Sequence, residues 1–166
     1  MFLTDVSLSI ARHLRGHPFF SAAPSIPVIA ACEHDVLTAC EAAVSKMGLC
    51  VVVNSNGGKF TTPDTMIPRV DGRFVCQCVE NIMVNRSSKG TGQDAAHVAQ
   101  ACAKILQHFQ PANENGEPLS GGGLIPVSVS QADGGQQLVL WEVEFSLTGD
   151  FHAEPARRDF RTRPQI

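Results

Sequence analysis

The residues with the most obvious chemical potential lie in 81–111, NIMVNRSSKGTGQDAAHVAQACAKILQHFQP. Within them Ser88-Lys89-Gly90-Thr91-Gly92-Gln93-Asp94 forms a polar, glycine-punctuated elbow ahead of a helical pattern. Backbone N–H groups at a helix start can hold a phosphate or carboxylate, so the chemistry on offer is anion binding. A Walker-type loop needs its lysine and a hydroxyl residue after the last glycine. Here Lys89 precedes Gly90, Gln93 and Asp94 follow Gly92, and the carboxylate of Asp94 would repel phosphate. The same residues suit a simple helix start, with Thr91 as cap, Asp94 answering it three positions on, and the glycines making the turn.

Other chemistry is thinner. The six cysteines are Cys32, Cys40, Cys50, Cys76, Cys78 and Cys102. Cys40 and Cys102 fall at helix-core spacing and Cys50 opens a run of valines, which reads as reduced thiols in a core. Cys32-Glu33-His34-Asp35 and Cys76-Gln77-Cys78 are the metal-like groups, but neither has a second pair at zinc spacing, so no metal and no other cofactor is expected. Neither Gly-x-Ser-x-Gly nor His-Glu-x-x-His occurs. His97 and His108 read as surface residues of a helix. Glu142 and Glu144 could do acid–base work from one strand face, although a solvated face explains them as well. No catalytic residue is assigned, and the chain is not expected to be an enzyme.

The elements that must carry these residues follow from periodicity. Val6, Ile10 and Leu14 form a helical stripe over residues 4–15, with Thr4 as cap and Gly16 and Pro18 as stop. Residues 26–31 suit a short strand. A second helix over 35–47 carries Val36, Cys40, Val44 and Met47 on one face and ends at Gly48 in a left-handed cap. The apolar run 49–53 suits a strand buried on both sides, and the strand–helix–strand order permits a parallel crossover. Residues 54–71 are either a long hairpin loop or an extended arm, a length that is often functional. A strand over 72–81 sets Val75 and Val79 opposite Cys76 and Cys78. A third helix over 93–109 has Ala95, Ala99, Cys102, Leu106 and Phe109 on its apolar face and stops at Pro111. After a glycine-rich loop over 113–123, a hairpin pairs 124–130 with 137–147, where Val139, Trp141, Val143, Phe145 and Leu147 alternate with a wet face.

Composition sets the outer limits. The chain of 166 residues, 43% apolar, fits one α/β domain over 1–148 with a flexible tail over 149–166. Only 17% of residues are charged, against about 25% in average globular usage, which fits burial against partners. A net charge of −3 argues against a general nucleic-acid or anionic-membrane binder. There is no apolar run long enough to span a bilayer, and the start has no secretory signal pattern. The tail carries Arg157, Arg158, Arg161 and Arg163 against Asp159. With few apolar groups it is expected to stay disordered alone or to order on a neighbouring chain.

The helix TDVSLSIARHLRG, the segment DVLTACEAAVSKMGLCVVV, the segment ENIMVNRSSKGTGQDAAHVAQACAKILQHFQP and the strand LVLWEVEFSL together resemble small prophage-encoded tail proteins. The layout is similar to the tail terminator, tail-completion and minor tail protein group of long-tailed phages. The resemblance implies an α+β fold, a single mixed and largely antiparallel sheet packed by two to three helices. It also implies a structural role: subunits join into a homo-oligomeric ring, typically a hexamer, at the end of the tail tube, facing the head-completion proteins. Such a protein would assemble in the bacterial host cytoplasm and end in the virion tail. On this reading the contacts fall at 60–69, with Phe60 and Arg69, at 85–91, with Asn85, Arg86, Lys89 and Thr91, and at the arginines of the tail. The other readings are a small anion- or nucleotide-binding domain or enzyme using the elbow 88–94, and a host adaptor that captures a peptide by strand addition.

Overall fold

In the computed structural model, residues 2–33, 35–62, 64–135 and 137–150 are described. The stripe of Val6, Ile10 and Leu14 builds α1 (Phe2–Gly16), and all three side chains are fully buried. Burying each contributes about 1.5–3 kcal/mol relative to exposure. The helix starts before Thr4, so Thr4 sits in its first turn and does not cap it. Pro18, expected to end a helix, opens α2 (Pro18–Ser21) at its first position, where its missing N–H costs nothing.

β1 (Val28–Ala30) is shorter than the expected 26–31 and pairs in parallel with Val51, Val52 and Val53. Between them runs α3 (Val36–Met47), capped by Asp35, which accepts from the Thr38 N–H. Gly48 closes α3 at φ 80°, the left-handed cap expected of it. β2 (Leu49–Phe60) and β3 (Arg69–Asn81) follow as antiparallel neighbours. Residues 54–71 are therefore mostly strand: the arm is a long hairpin with a bulge between Ser55 and Gly58.

α4 (Ile82–Asn85) is a single turn, and α5 (Ala95–Leu106) is the third long helix. α5 is shorter than the expected 93–109. His108 takes φ 62° and donates its N–H to the Leu124 carbonyl, while the Leu124 N–H returns to Phe109. The chain is thus turned by pairing with a distant segment before Pro111 is reached. A Cβ on Gly123 would lie 2.3 Å from the His108 oxygen, so this crossing requires glycine. β4 (Ile125–Asp133) and β5 (Leu138–Asp150) complete the sheet. β5 runs two residues past the expected domain boundary, because Gly149 and Asp150 pair with Val70 and Arg69.

The sheet order is β1-β2-β3-β5-β4, with only β1 and β2 parallel. This is an α+β fold, a single mixed and largely antiparallel sheet. α1 and α5 cover one face, where Val51, Val53, Phe74, Cys76, Cys78, Val143 and Phe145 form the main core. α3 covers part of the other face, over a small cluster of Val44, Cys50 and Val52. Strand alternation assigns the faces as expected: Cys76 and Cys78 point to the main core, Val79 to the smaller one. The expected arginine-rich tail, with Arg157, Arg158, Arg161 and Arg163, lies outside the described residues.

Candidate functional site

The elbow is organised from inside. Asn81 ends β3 and accepts from the Val84 N–H, starting the turn of α4 that carries Asn85 inward. The Asn85 amide then meets four partners. Its Nδ2 donates to Glu80 Oε2 at 2.7 Å and to the Gln93 carbonyl at 2.6 Å. Its Oδ1 accepts from the Thr91 N–H at 3.0 Å and from the Thr91 hydroxyl at 2.8 Å. Glu80, 2% exposed, accepts through Oε1 from the Ala95 N–H at 3.1 Å. Asp94 caps α5 by accepting from the His97 N–H at 2.7 Å.

Two expectations are corrected here. The cap of α5 is Asp94, because the Thr91 hydroxyl is already held by Asn85. Asn85 and Thr91, at 4% and 6% exposure, are not available to a partner; they lock the elbow instead. The space around them is full: a Cβ on Gly90 would lie 1.6 Å from the Asn85 carbonyl oxygen, and one on Gly48 2.2 Å from its nitrogen. The start of α5 also holds two carboxylates of its own, Glu80 and Asp94. An incoming phosphate would meet both charges at the site where helix N–H groups would otherwise attract it. Arg86 and Lys89 stay exposed and project outward from this frame. Glu80 escaped sequence reasoning, yet its parity signals it: it shares the inward face with Cys76 and Cys78.

The arm presents a different surface. Its tip is tied by threonines: Thr61 N–H donates to the Arg69 carbonyl, Arg69 N–H to the Thr62 hydroxyl at 2.8 Å, and the Thr65 hydroxyl to the Ile67 carbonyl at 3.0 Å. That frame holds apolar side chains in solvent, with Phe60 54% exposed, Ile67 48% and Met66 fully. Arg69 pairs with Asp150 at 3.3 Å on the surface. The outer edge of β4 is unpaired among the described residues. Ile125, Val127 and Val129 are 58%, 46% and 44% exposed, a combination that invites strand pairing or apolar contact. Between arm base and β4 opens a cleft of about 690 Å³, bordered by Phe2, Arg69, Leu119, Ile125 and Asp150.

The acid–base candidates and the Cys76–Cys78 pair have neighbours in the fold. Glu142 accepts from Gln77 Nε2 at 3.0 Å, and Glu144 lies 3.9 Å from Arg73. His97 is exposed and stacks on Phe19. His13, which sequence reasoning passed over, stacks on Phe109 with ring centres 3.9 Å apart. Burial, then His17, lowers its pKa. Cys102 contacts Cys76 and Cys78 in the main core, and those thiols together with burial push it up. Among the described residues no group of three or more histidine, cysteine or acidic side chains is placed to hold a metal ion. No helix among them is long and apolar enough to cross a membrane.

No family model matches the sequence, and no curated protein matches it. Among solved structures, a chain from the "Virion of native gene transfer agent (GTA) particle" matches with a TM-score of 0.58 at 13% identity. The match covers 89% of this chain and 96% of that one. At that identity the likeness is one of fold, and it extends over nearly the whole of that chain.

Proposed function

We propose that the protein is a structural subunit of a phage-like virion. The observation that carries this reading is the shared fold over almost the full length of both chains. Its finer form is a tail protein of the terminator or tail-completion kind, closing into a homo-oligomeric ring at the tube end or head–tail junction, with tube and head-completion proteins as neighbours. Such a role needs surfaces for contact and no reacting groups. Two unlike apolar surfaces support it, the arm tip with Phe60, Met66 and Ile67 and the β4 edge with Ile125, Val127 and Val129. A closed ring uses a heterologous contact, in which one patch meets a different patch on the next copy. Arg86 and Lys89, exposed on the elbow, are proposed to add charge to that contact. The elbow's own carboxylates weigh against the nucleotide-binding alternative.

Light scattering on the full chain across concentration tests the reading, together with a form ending at Asp150, which keeps β5 whole. Met66→Asp combined with Ile67→Asp, and separately Arg86→Glu with Lys89→Glu, should lower the assembled fraction while leaving urea stability within about 0.5 kcal/mol, as exposed substitutions do. A chain that stays monomeric at every concentration and does not co-sediment with phage tail tubes overturns the proposal.

A further inference from the structure

α3 lies over the smaller core, and two thiols meet at that seam. Cys40, in the middle of α3, and Cys50, the second residue of β2, bring their sulfurs to 3.3 Å. Their access differs: Cys40 is half-buried and Cys50 fully buried. A reachable outer thiol backed by an inner one is the arrangement of an attacking and a resolving cysteine. Cys76, Cys78 and Cys102 belong to the main core on the opposite face, and Cys32 is exposed on its own. Either sulfur can donate across this contact; with Cys50 keeping its proton, the contact favours the Cys40 thiolate and pushes the Cys50 thiol up, burial adding to the rise. The seam has room to adjust, since Val44 is the one buried side chain that α3 contributes.

We propose that Cys40 and Cys50 are a peroxide-sensitive pair that closes into a disulfide tying α3 to β2. The Cys40 thiolate attacks one oxygen of hydrogen peroxide; the O–O bond breaks, Cys40 becomes a sulfenic acid, and hydroxide leaves to take up the proton Cys40 had lost. The Cys50 sulfur then attacks the Cys40 sulfur. An S–S bond forms, the S–O bond breaks, and the Cys50 proton departs with the hydroxyl as water. Two thiols and one peroxide thus give one disulfide and two waters, with two electrons passing from sulfur to oxygen. A disulfide spans about 2.0 Å, so the sulfurs must close by about 1.3 Å from their present 3.3 Å, within reach of side-chain rotation and a small helix shift.

The test uses the full chain in a Cys32→Ser background, reduced, freed of reductant and exposed to hydrogen peroxide, then alkylated and mapped by mass spectrometry. The expected result is loss of two hydrogens in a cross-linked peptide joining Cys40 to Cys50, appearing before oxidation of the main-core thiols. This form should melt at a higher temperature and revert with a thiol reductant. Cys50→Ala should stop at a Cys40 sulfenic acid that a dimedone probe traps, and Cys40→Ser should leave Cys50 unreacted. Oxidation of Cys40 without the cross-link in the unsubstituted pair, or a Cys50 alkylated as fast as Cys40 before any peroxide, overturns the proposal.

Discussion

Replacing Asn85 by alanine removes four hydrogen bonds from the centre of the elbow at once. One goes to a buried carboxylate, Glu80, and three to Thr91 and Gln93. A hydrogen bond to a charged group contributes about 1.5–3 kcal/mol and a neutral one about 1. Glu80 keeps only the Ala95 N–H among these partners, and the Thr91 hydroxyl retains a longer contact of 3.3 Å to Gln93. The expected loss is about 3–5 kcal/mol, a large share of the roughly 5–15 kcal/mol that holds a domain. Urea unfolding followed by circular dichroism reads it as a lower midpoint with unchanged slope. Asn85→Asp separates the chemistry from shape. It preserves the outline but sets a second carboxylate against Glu80 across the present 2.7 Å contact, so it should cost at least as much as alanine. Adding Glu80→Gln to Asn85→Asp should recover part of the loss, because an amide can donate where two carboxylates repel. An Asn85→Ala chain within about 1 kcal/mol of the parent, or an Asn85→Asp chain as stable as it, would falsify the reading of Asn85 as the hub.

Gly90→Ala drives a methyl into the Asn85 carbonyl, whose oxygen lies 1.6 Å from the required Cβ position; it should cost about 2–4 kcal/mol by the same unfolding assay. Gly122→Ala, where nothing lies within 4 Å, should fall within about 0.5 kcal/mol, so equal losses at the two sites would contradict the packing argument. Asp35 has its carboxyl held below the usual range by the Thr38 hydroxyl and then the Thr38 N–H. A lowered folded pKa stabilises above the unfolded value, so that contribution is complete above about pH 5 and fades as pH falls through about 4 and below. Melting curves of the parent and Asp35→Ala should therefore differ near neutrality and converge in acid. Curves that stay parallel down to about pH 2 would remove the cap from the account.

Much of this fold is legible where one residue pattern has one physical solution. Val139 to Leu147 alternate because one face of β5 meets the main core, and the valines 51–53 run unbroken because β2 is covered on both sides. Gly48 announces its cap because few other residues accept φ near 80°. Other boundaries depended on partners far along the chain. Thr91 and Asp94 both had the chemistry of a cap, and the choice fell to Asn85, which holds the Thr91 hydroxyl. α5 ends early because His108 pairs with Leu124. Asn54, Gly57 and Gly58 discourage strand, yet the arm remains strand because its register is inherited from the buried pairs Val51–Cys78 and Val53–Cys76 and continued by β5 along β3. Of the acid–base candidates, Glu142 meets the Gln77 amide, Glu144 faces Arg73 and His97 stacks on Phe19, partners that lie far along the chain from each.

The inner frame of the elbow also positions two exposed cations, Arg86 and Lys89, that lie outside the hydrogen bonds holding the turn. Asn85 and Thr91 face inward and fix the turn, so Arg86 and Lys89 between them must face outward. If the proposed ring uses those two cations, the two classes of substitution should part. Charge reversal at Arg86 and Lys89 changes assembly while the melting curve stays put, whereas Asn85→Ala lowers stability first and impairs assembly only through the loosened turn. Lowering the temperature or adding a stabilising osmolyte should then restore assembly to Asn85→Ala, because it restores the folded turn. It should not restore assembly to the charge-reversed chain, whose fold was never impaired. Rescue of both, or of neither, would break the proposed link between the inner frame and the outer contact.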